Sequence, residues 1–310
     1  MKQLHIQTPL LDSMPIGRSA GCRVWLKLEN TQPTATFKIR GIGNLCQHAK
    51  KEGIKRFISS SGGNAGYAAA YAGRNLGVPV TVFVPGTTPR DTIAKIEEQN
   101  AEVLVKGDVW DETHEYASGF AGEVKGLYIS PFDHPRIWDG HASVVDEIVG
   151  KIPKPDTVIV SVGGGGLLCG VIEGLHRNDW NDVPVVAVET EGTASLSASL
   201  AAGKLVTLDA ITGIAKSLGA KTVTQKALDL SKVHKIQSVV VSDHEALSAC
   251  LSFADDHRFL VEPACGASLA IPYYRSEEID KAETVVVIVC GGIGVDFAKL
   301  QEWKSIYGLK

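Results

Sequence analysis

Three glycine-rich segments and one lysine are the residues of this chain whose types and spacing point to chemistry. Ser161-Val162-Gly163-Gly164-Gly165-Gly166-Leu167 follows the apolar run at 158–162 and opens an amphipathic stretch. Ordering glycine costs roughly 0.5–1 kcal/mol per residue relative to alanine in regular structure, so four in succession make poor scaffolding. They suit a phosphate cradle, in which backbone N–H groups at a helix start hold the anion. No Lys-Ser or Lys-Thr follows as in a P-loop, and the spaced glycines and ribose-binding acid of a dinucleotide site are missing, so a phosphate monoester fits better than a nucleotide. Ser59-Ser60-Ser61-Gly62-Gly63-Asn64-Ala65-Gly66 also joins a strand to an alanine-rich helix. Its three serines and Asn64 tilt it from a plain turn toward an anion site such as one for a carboxylate. Cys290-Gly291-Gly292-Ile293-Gly294 is the third cluster; taken alone, Cys290 reads as a buried structural thiol. Lys38 lies in Thr34-Ala35-Thr36-Phe37-Lys38-Ile39-Arg40-Gly41. A lone lysine is far more often a solvated charge than a nucleophile. Beside a phosphate cradle it gains a partner: a Schiff-base lysine and a phosphate loop are the two ends by which pyridoxal phosphate is held.

Positioning these residues falls to alternating strands and helices. Short β-branched runs at 57–59, 80–84, 102–105, 158–162, 185–189, 239–241 and 285–290 read as strands, several apolar on both faces. Alanine-rich or amphipathic stretches at 66–76, 91–99, 111–123, 141–149, 167–176, 243–257 and 297–307 read as helices. This predicts an α/β fold with mainly parallel sheets, whose ligands gather at the carboxyl ends of strands, where all three glycine clusters fall. A length of 310 residues favours two lobes sharing a cleft. With 44% hydrophobic and 21% charged residues the chain can bury a core without disulfides, so its six cysteines, none in a CxxC, read as reduced. A formal charge of -4 lacks the basic excess of a nucleic-acid binder. The N-terminus shows neither a signal h-region nor a span long enough for a bilayer, so a soluble, cytoplasmic protein with no membrane or nucleic-acid partner is expected.

Other polar residues carry blander expectations. Glu262, in Val261-Glu262-Pro263-Ala264, reads as a helix-start residue with a packing or capping role, and His141 as a histidine satisfying a helix N-terminus. His134, His244 and His257 have no metal-ligand spacing, and Lys50-Lys51-Glu52 and Glu277-Glu278 look like solvated helix faces.

The run TFKIRG, the loop SSSGGNAGYAAAYA, the tract LGVPVTVFVPGTTP, the segment IWDGHASVVDEI, SVGGGGLLCGV, ITGIAKSLGAKTV, VEPACGAS and VVVIVCGG, in this order, resemble the serine/threonine dehydratases of the tryptophan-synthase-β-like, fold-type-II pyridoxal phosphate enzymes. The resemblance covers residues 8–292 and is nearest to the short serine dehydratases and serine dehydratase-like enzymes. It implies a two-lobed α/β fold with a small domain at 41–135 and a large cofactor-binding domain from 1–40 and 136–310, probed most simply by whether the sheet is continuous. It implies that Lys38 forms the Schiff base, Phe37 packs on the ring, Asn64 meets the phenolic oxygen, Gly163, Gly164, Gly165 and Gly166 hold the phosphate, and Cys290 faces the pyridine nitrogen. Ser61 matches the catalytic serine, and Ser60, Ser61, Gly63, Asn64 and Ala65 the substrate-carboxylate loop. A monovalent cation such as potassium would be held by Glu189, with main-chain oxygens near Thr193, Leu218 and Ala220. The implied activity is that of an L-serine and L-threonine ammonia-lyase, a homodimer acting on a small amino acid. The alternatives are serine racemase or another β-elimination or replacement enzyme, and, from a different class, a non-catalytic cofactor- or amino-acid-binding regulator. Two departures stand out: Gly62, where the family often has serine or alanine, and Ile293-Gly294, where it usually has small polar residues.

Overall fold

The computed structural model describes residues 3–309. Among the described residues ten strands form two separate sheets. The larger runs in the order β1 (Leu10–Asp12), β2 (Arg23–Leu28), β10 (Thr284–Val289), β7 (Thr157–Ser161), β8 (Val185–Thr190), β9 (Ile236–Val241). Only β1 is antiparallel, to β2. The smaller, all parallel, runs β5 (Glu102–Val105), β4 (Val80–Val84), β3 (Phe57–Ser59), β6 (Leu127–Tyr128). The helices are α1 (Met14–Ala20), α2 (Lys38–Lys51), α3 (Asn64–Leu76), α4 (Arg90–Glu97), α5 (Trp110–Glu123), α6 (Pro135–Asp146), α7 (Gly166–Arg177), α8 (Ser195–Ala202), α9 (Gln225–Leu230), α10 (Asp243–His257), α11 (Pro263–Tyr274) and α12 (Phe297–Ile306). The mainly parallel α/β class expected from the sequence is what the chain adopts.

Burial explains the continuous apolar runs: every residue of β4, β7 and β8 is buried, as in strands covered by helices on both faces. One core surrounds the large sheet, while Ile39, Phe57, Val82 and the alanines of α3 fill another beside the small one. All six cysteines are free thiols. Among the described residues no helix is long and apolar enough to cross a membrane.

A buried ion cluster ties the N-terminal segment, β2, α2 and α6 together. Arg40, fully buried, donates from Nε and Nη2 to the Glu29 carboxylate at 2.6 and 2.8 Å, and from Nη1 and Nη2 to Glu147, both at 2.7 Å. Lys27 Nζ, also fully buried, donates to Glu147 at 2.5 Å and to the Thr8 carbonyl at 2.8 Å, and the Thr8 hydroxyl donates to Glu29 at 2.6 Å. Two cations meet two carboxylates, so the desolvated charges balance. Burial opposes the charge on Arg40, but Glu29 and Glu147 override it and hold the guanidinium more firmly protonated than in free arginine.

Candidate active site

Lys38 opens α2, and the turn that presents it is stitched to the end of β10. Phe37 N–H donates to Cys290 O at 3.2 Å and Gly292 N–H to Ala35 O at 2.8 Å, while Thr36 and Gly291 form a single antiparallel bridge. The Lys38 amine donates to the Pro131 carbonyl at 2.5 Å and stands 5.2 Å from the centroid of the Phe37 ring. Among the described residues no carboxylate forms an ion pair with it. Burial pulls the amine down to about 8, against the opposing influence of Cys290 and Glu262.

The tetraglycine sits where β7 ends and α7 begins. A Cβ at Gly164 would lie 2.3 Å from the Phe132 ring, and one at Gly163 would lie 2.9 Å from the Leu218 backbone. Gly165, the N-cap of α7, has φ 89, a left-handed conformation that disfavours side chains. The loop therefore hugs its neighbours and presents bare backbone, and the first N–H groups of α7 have no partner inside the helix. Phe37, Lys38, Asn64, Gly163, Glu262 and Cys290 line one cavity, with Gly165 and Gly166 also in its wall. These residues fit pyridoxal phosphate: a cradle that any Cβ would fill, an amine with no counter-ion, and a thiol at the cavity wall. A neighbouring Cys265 thiol, together with burial, raises Cys290 well above the usual thiol range, so Cys290 is neutral.

Glu262 is the residue that sequence reasoning undervalued. It occupies the N-cap position of α11 yet makes no side-chain capping bond. Its carboxylate instead enters the cleft, accepting from Asn64 Nδ2 at 3.2 Å on each oxygen and from Gly294 N–H at 2.6 Å. Asn64 Oδ1 accepts from Ile293 N–H at 2.9 Å, so the amide is held from both ends. Burial raises the Glu262 carboxyl, with Ser217, Gly294 and Asn64 pulling it back. Space for the carboxylate comes from Gly292, where a Cβ would lie 2.0 Å from it. The unusual Ile293-Gly294 pair thus supplies two main-chain donors to this clamp. A signal existed in the sequence: Val261-Glu262-Pro263 puts a carboxylate just before an N1 proline, although nothing local shows which way it points.

The segment at 60–65 leads from β3 into α3. Ser61 Oγ accepts from Gly63 N–H at 3.3 Å, and Ser59 Oγ from Ser61 N–H at 3.3 Å, so the turn is braced by its own serines. Gly62 packs under Thr88: a Cβ there would meet its Cγ2 at 2.8 Å, so a serine or alanine at this position requires that side chain to move. Ser60, Ser61, Gly63 and Ala65 are not in the wall of the lysine cavity, which the segment reaches through Asn64.

Glu189, fully buried at the end of β8, accepts from the backbone N–H groups of Leu196 and Ser197 at 2.8 Å each. Burial raises its carboxyl to about 7 despite those bonds. The Thr193 hydroxyl is engaged with Thr190 at 2.9 Å, and Leu218 and Ala220 share a turn against Gly163. Among the described residues no group of three or more His, Cys, Asp or Glu side chains could hold a metal ion. His141 differs from its expected capping role: it lies inside α6, which starts at Pro135 under a His134 cap, and is fully buried against the Phe37 ring at 4.9 Å between centroids. Burial pushes its imidazole well below the ordinary range, so it is neutral. A roomier surface groove between α10 and α12, lined in part by Leu251, Tyr274 and Phe297, contains none of these groups.

A lysine facing a helix-start glycine cradle between two parallel sheets defines a cofactor-dependent α/β enzyme. Comparison with known proteins agrees: the family described as pyridoxal-phosphate dependent enzyme matches residues 1–291, and the chain belongs to that family. It is 48% identical to a Homo sapiens protein named L-serine dehydratase/L-threonine deaminase, over 99% of this chain and 96% of that one. It is 47% identical to a Homo sapiens serine dehydratase-like protein, over 98% and 95%. The crystal structure of a fungal L-serine ammonia-lyase from Rhizomucor miehei superposes with a TM-score of 0.94 at 36% identity, covering 99% of this chain and 100% of that one.

Proposed function

We propose that this chain is a pyridoxal-phosphate-dependent L-serine ammonia-lyase that also takes L-threonine, giving pyruvate or 2-oxobutyrate plus ammonia. The observation that carries the reading is Lys38: an amine lowered to about 8, without a counter-ion, in one cavity with the tetraglycine cradle. Near-full-length likeness to named serine dehydratases supports the substrate class. Bound pyridoxal phosphate supplies a conjugated electron-withdrawing ring that acidifies the substrate α-carbon hydrogen.

The residues do the rest. A lysine near 8 keeps an appreciable unprotonated fraction at neutral pH, enough to accept the α-proton. The 60–65 loop, a helix start rich in N–H and hydroxyl donors, receives the substrate carboxylate, and Ser61 passes a proton toward the departing β-hydroxyl, a poor leaving group unless protonated, with the α-proton taken up by Lys38 restoring the balance. Asn64, clamped by Glu262 and Ile293, presents its amide at a fixed angle. Cys290, a neutral thiol at the cavity wall, would meet the pyridine nitrogen of a bound cofactor without protonating it, which would favour prompt elimination over transamination. The elimination removes water and the hydrolysis of the released enamine returns it, so the net products are the keto acid and ammonia.

We also place the lobe boundaries at 40/41 and 135/136, supported by the strands of the small sheet falling within residues 57–128. A cytoplasmic homodimer and a monovalent cation near Glu189 complete the proposal; the buried, raised carboxyl of Glu189 supports the latter. Potassium is expected to raise the melting temperature of the protein by a few degrees and that of Glu189→Gln by none; an equal response of both removes the cation from this position. Light scattering in solution checks the dimer. The function itself is tested by visible absorbance of the purified protein with cofactor, followed by lactate-dehydrogenase-coupled detection of pyruvate from L-serine. D-serine with little pyruvate would identify a racemase, and cofactor binding without product a regulator.

A further inference from the structure

Hydrogen bonding that begins in the substrate loop continues away from the cleft. Ser60 Oγ, in a residue only 1% exposed, lies 2.6 Å from Tyr128 Oη, and Tyr128 Oη lies 2.7 Å from His114 Nδ1. The His114 ring stacks on exposed Trp110 with centroids 5.2 Å apart and planes 12° from parallel. The chain therefore crosses three elements, from the end of β3 through β6 to α5. Nothing in the proposed chemistry uses Tyr128 or His114.

Two hydroxyls in series with an imidazole have two proton arrangements. If Nδ1 accepts, the Tyr128 phenol donates to it and the Ser60 hydroxyl donates to Tyr128, so the Ser60 proton points away from the cleft. A charged imidazole carries a proton on both nitrogens and can only donate. Nδ1–H then donates to Tyr128, the phenol turns its proton to Ser60, and the Ser60 hydroxyl is released to donate within its own loop. Burial raises the Tyr128 phenol above its ordinary value, so it stays neutral and able to relay across the physiological range.

We propose that Tyr128 and His114 are positioning residues for the carboxylate-binding loop, with the proton on His114 deciding which way the Ser60 hydroxyl donates. The proposal rests on the reading of residues 60–65 as the carboxylate loop. Histidine is the side chain whose charge ordinarily changes between pH 5 and 8. Both consequences of its protonation have one sign: the hydroxyl proton becomes available to the anion, and a positive charge joins the same side of the loop. Substrate affinity is therefore expected to be greater with His114 protonated than with it neutral.

The groups around the His114 ring are few. From β6 the ring faces Tyr128, whose phenol in turn meets the Ser60 hydroxyl, and from its own helix the Trp110 indole. The acids flanking it on α5 are Asp111, paired with Lys221 at 2.9 Å, Glu112, which accepts from Asp108 N–H at 2.8 Å, and exposed Glu115. β4 presents the apolar Phe83 to Phe120 of this helix.

The experiment compares wild-type holoenzyme with Tyr128→Phe and His114→Asn between pH 5.5 and 8.5. It measures KM and kcat for L-serine, and L-serine binding by the change it causes in the visible spectrum of the bound cofactor. Taking the variant-to-wild-type ratio at each pH cancels the titrations of the substrate amine and Lys38. Tyr128→Phe is expected to raise KM roughly 3–10-fold, the span of one lost hydrogen bond, with kcat within twofold. His114→Asn is expected to match wild type at high pH and fall behind it as pH decreases. Cofactor affinity, read by fluorescence titration, should be unchanged in both variants. Ratios that do not vary with pH overturn the relay, as does a parallel loss of cofactor affinity, which would mark a merely structural role. A wild type that turns over no L-serine but binds it with the expected pH dependence overturns the ammonia-lyase reading and leaves the relay standing; one that does not bind L-serine overturns both.

Discussion

Two regions of the same helix treat a desolvated cation in opposite ways. At Arg40 the guanidinium is met by four charge-assisted bonds from Glu29 and Glu147, and Lys27 nearby is tied to Glu147. Two residues earlier, Lys38 has only a backbone carbonyl. The first arrangement locks charge in place and joins four segments of chain; the second leaves an amine whose proton is easily lost. Burial alone does not make a lysine reactive. What distinguishes half-buried Lys38 is desolvation without a carboxylate partner.

The largest effect that would break this contrast concerns chemistry. Lys38→Ala should abolish the visible absorbance of bound cofactor and cut turnover by roughly 10⁴-fold or more, beyond the range of a single positioned acid–base group. Circular dichroism should show an unchanged fold; surviving turnover would move the reactive amine elsewhere.

Next in size is Arg40→Met, which leaves the buried Glu29 carboxylate without a cation and Glu147 with Lys27 alone, and should cost about 3–5 kcal/mol in chemical denaturation. Lys38→Met in the cofactor-free protein should have the opposite sign, stabilising by about 1–3 kcal/mol at pH 7, because it removes a desolvated ammonium with no partner. The pH dependence follows from the lowered amine. The penalty is fully present below about 8, where folded and unfolded states both hold the proton, and disappears as pH rises toward the ordinary 10.5. The advantage of Lys38→Met should therefore shrink over that window, and equal signs for the two methionine variants would dissolve the comparison. The smallest effect sharpens it. Glu262→Ala, which frees the Asn64 amide without touching Lys38 or the cradle, should weaken cofactor binding roughly 3–10-fold by fluorescence titration.

How much of this was legible in the sequence depended on whether the signal was local. α10 could be read to the residue because Ser242 and Glu245 form a capping box that marks its start. β3, β4 and β5 were equally plain as short apolar runs between breaks. β2 was missed because Arg23 and Lys27 interrupt RVWLKL, and the partner that neutralises Lys27 lies 120 residues away in sequence. α11 was legible only at its start, Glu262-Pro263, since its small residues and internal Pro272 carry no helical period, and it forms by being buried. In the site, tetraglycine and TFKIRG speak for themselves. Glu262, the Asn64 clamp and the Ser60–Tyr128–His114 chain arise from contacts between distant segments.

The position of β10 has a consequence for how the enzyme is made. This strand is the last of the ten along the chain, yet it lies at the middle of the large sheet, paired through six residues with β2 and through three with β7. It also brings the backbone at 290–292 that braces the turn before Lys38. On the ribosome, then, β2 and β7 wait with open edges until more than a hundred residues beyond β7 are synthesised, and the lysine's turn cannot be set until residues 290–292 have been made. A nascent chain stalled before residue 284 would hold the complete glycine cradle and present two unpaired strand edges to its neighbours, the geometry that chaperones exist to shield.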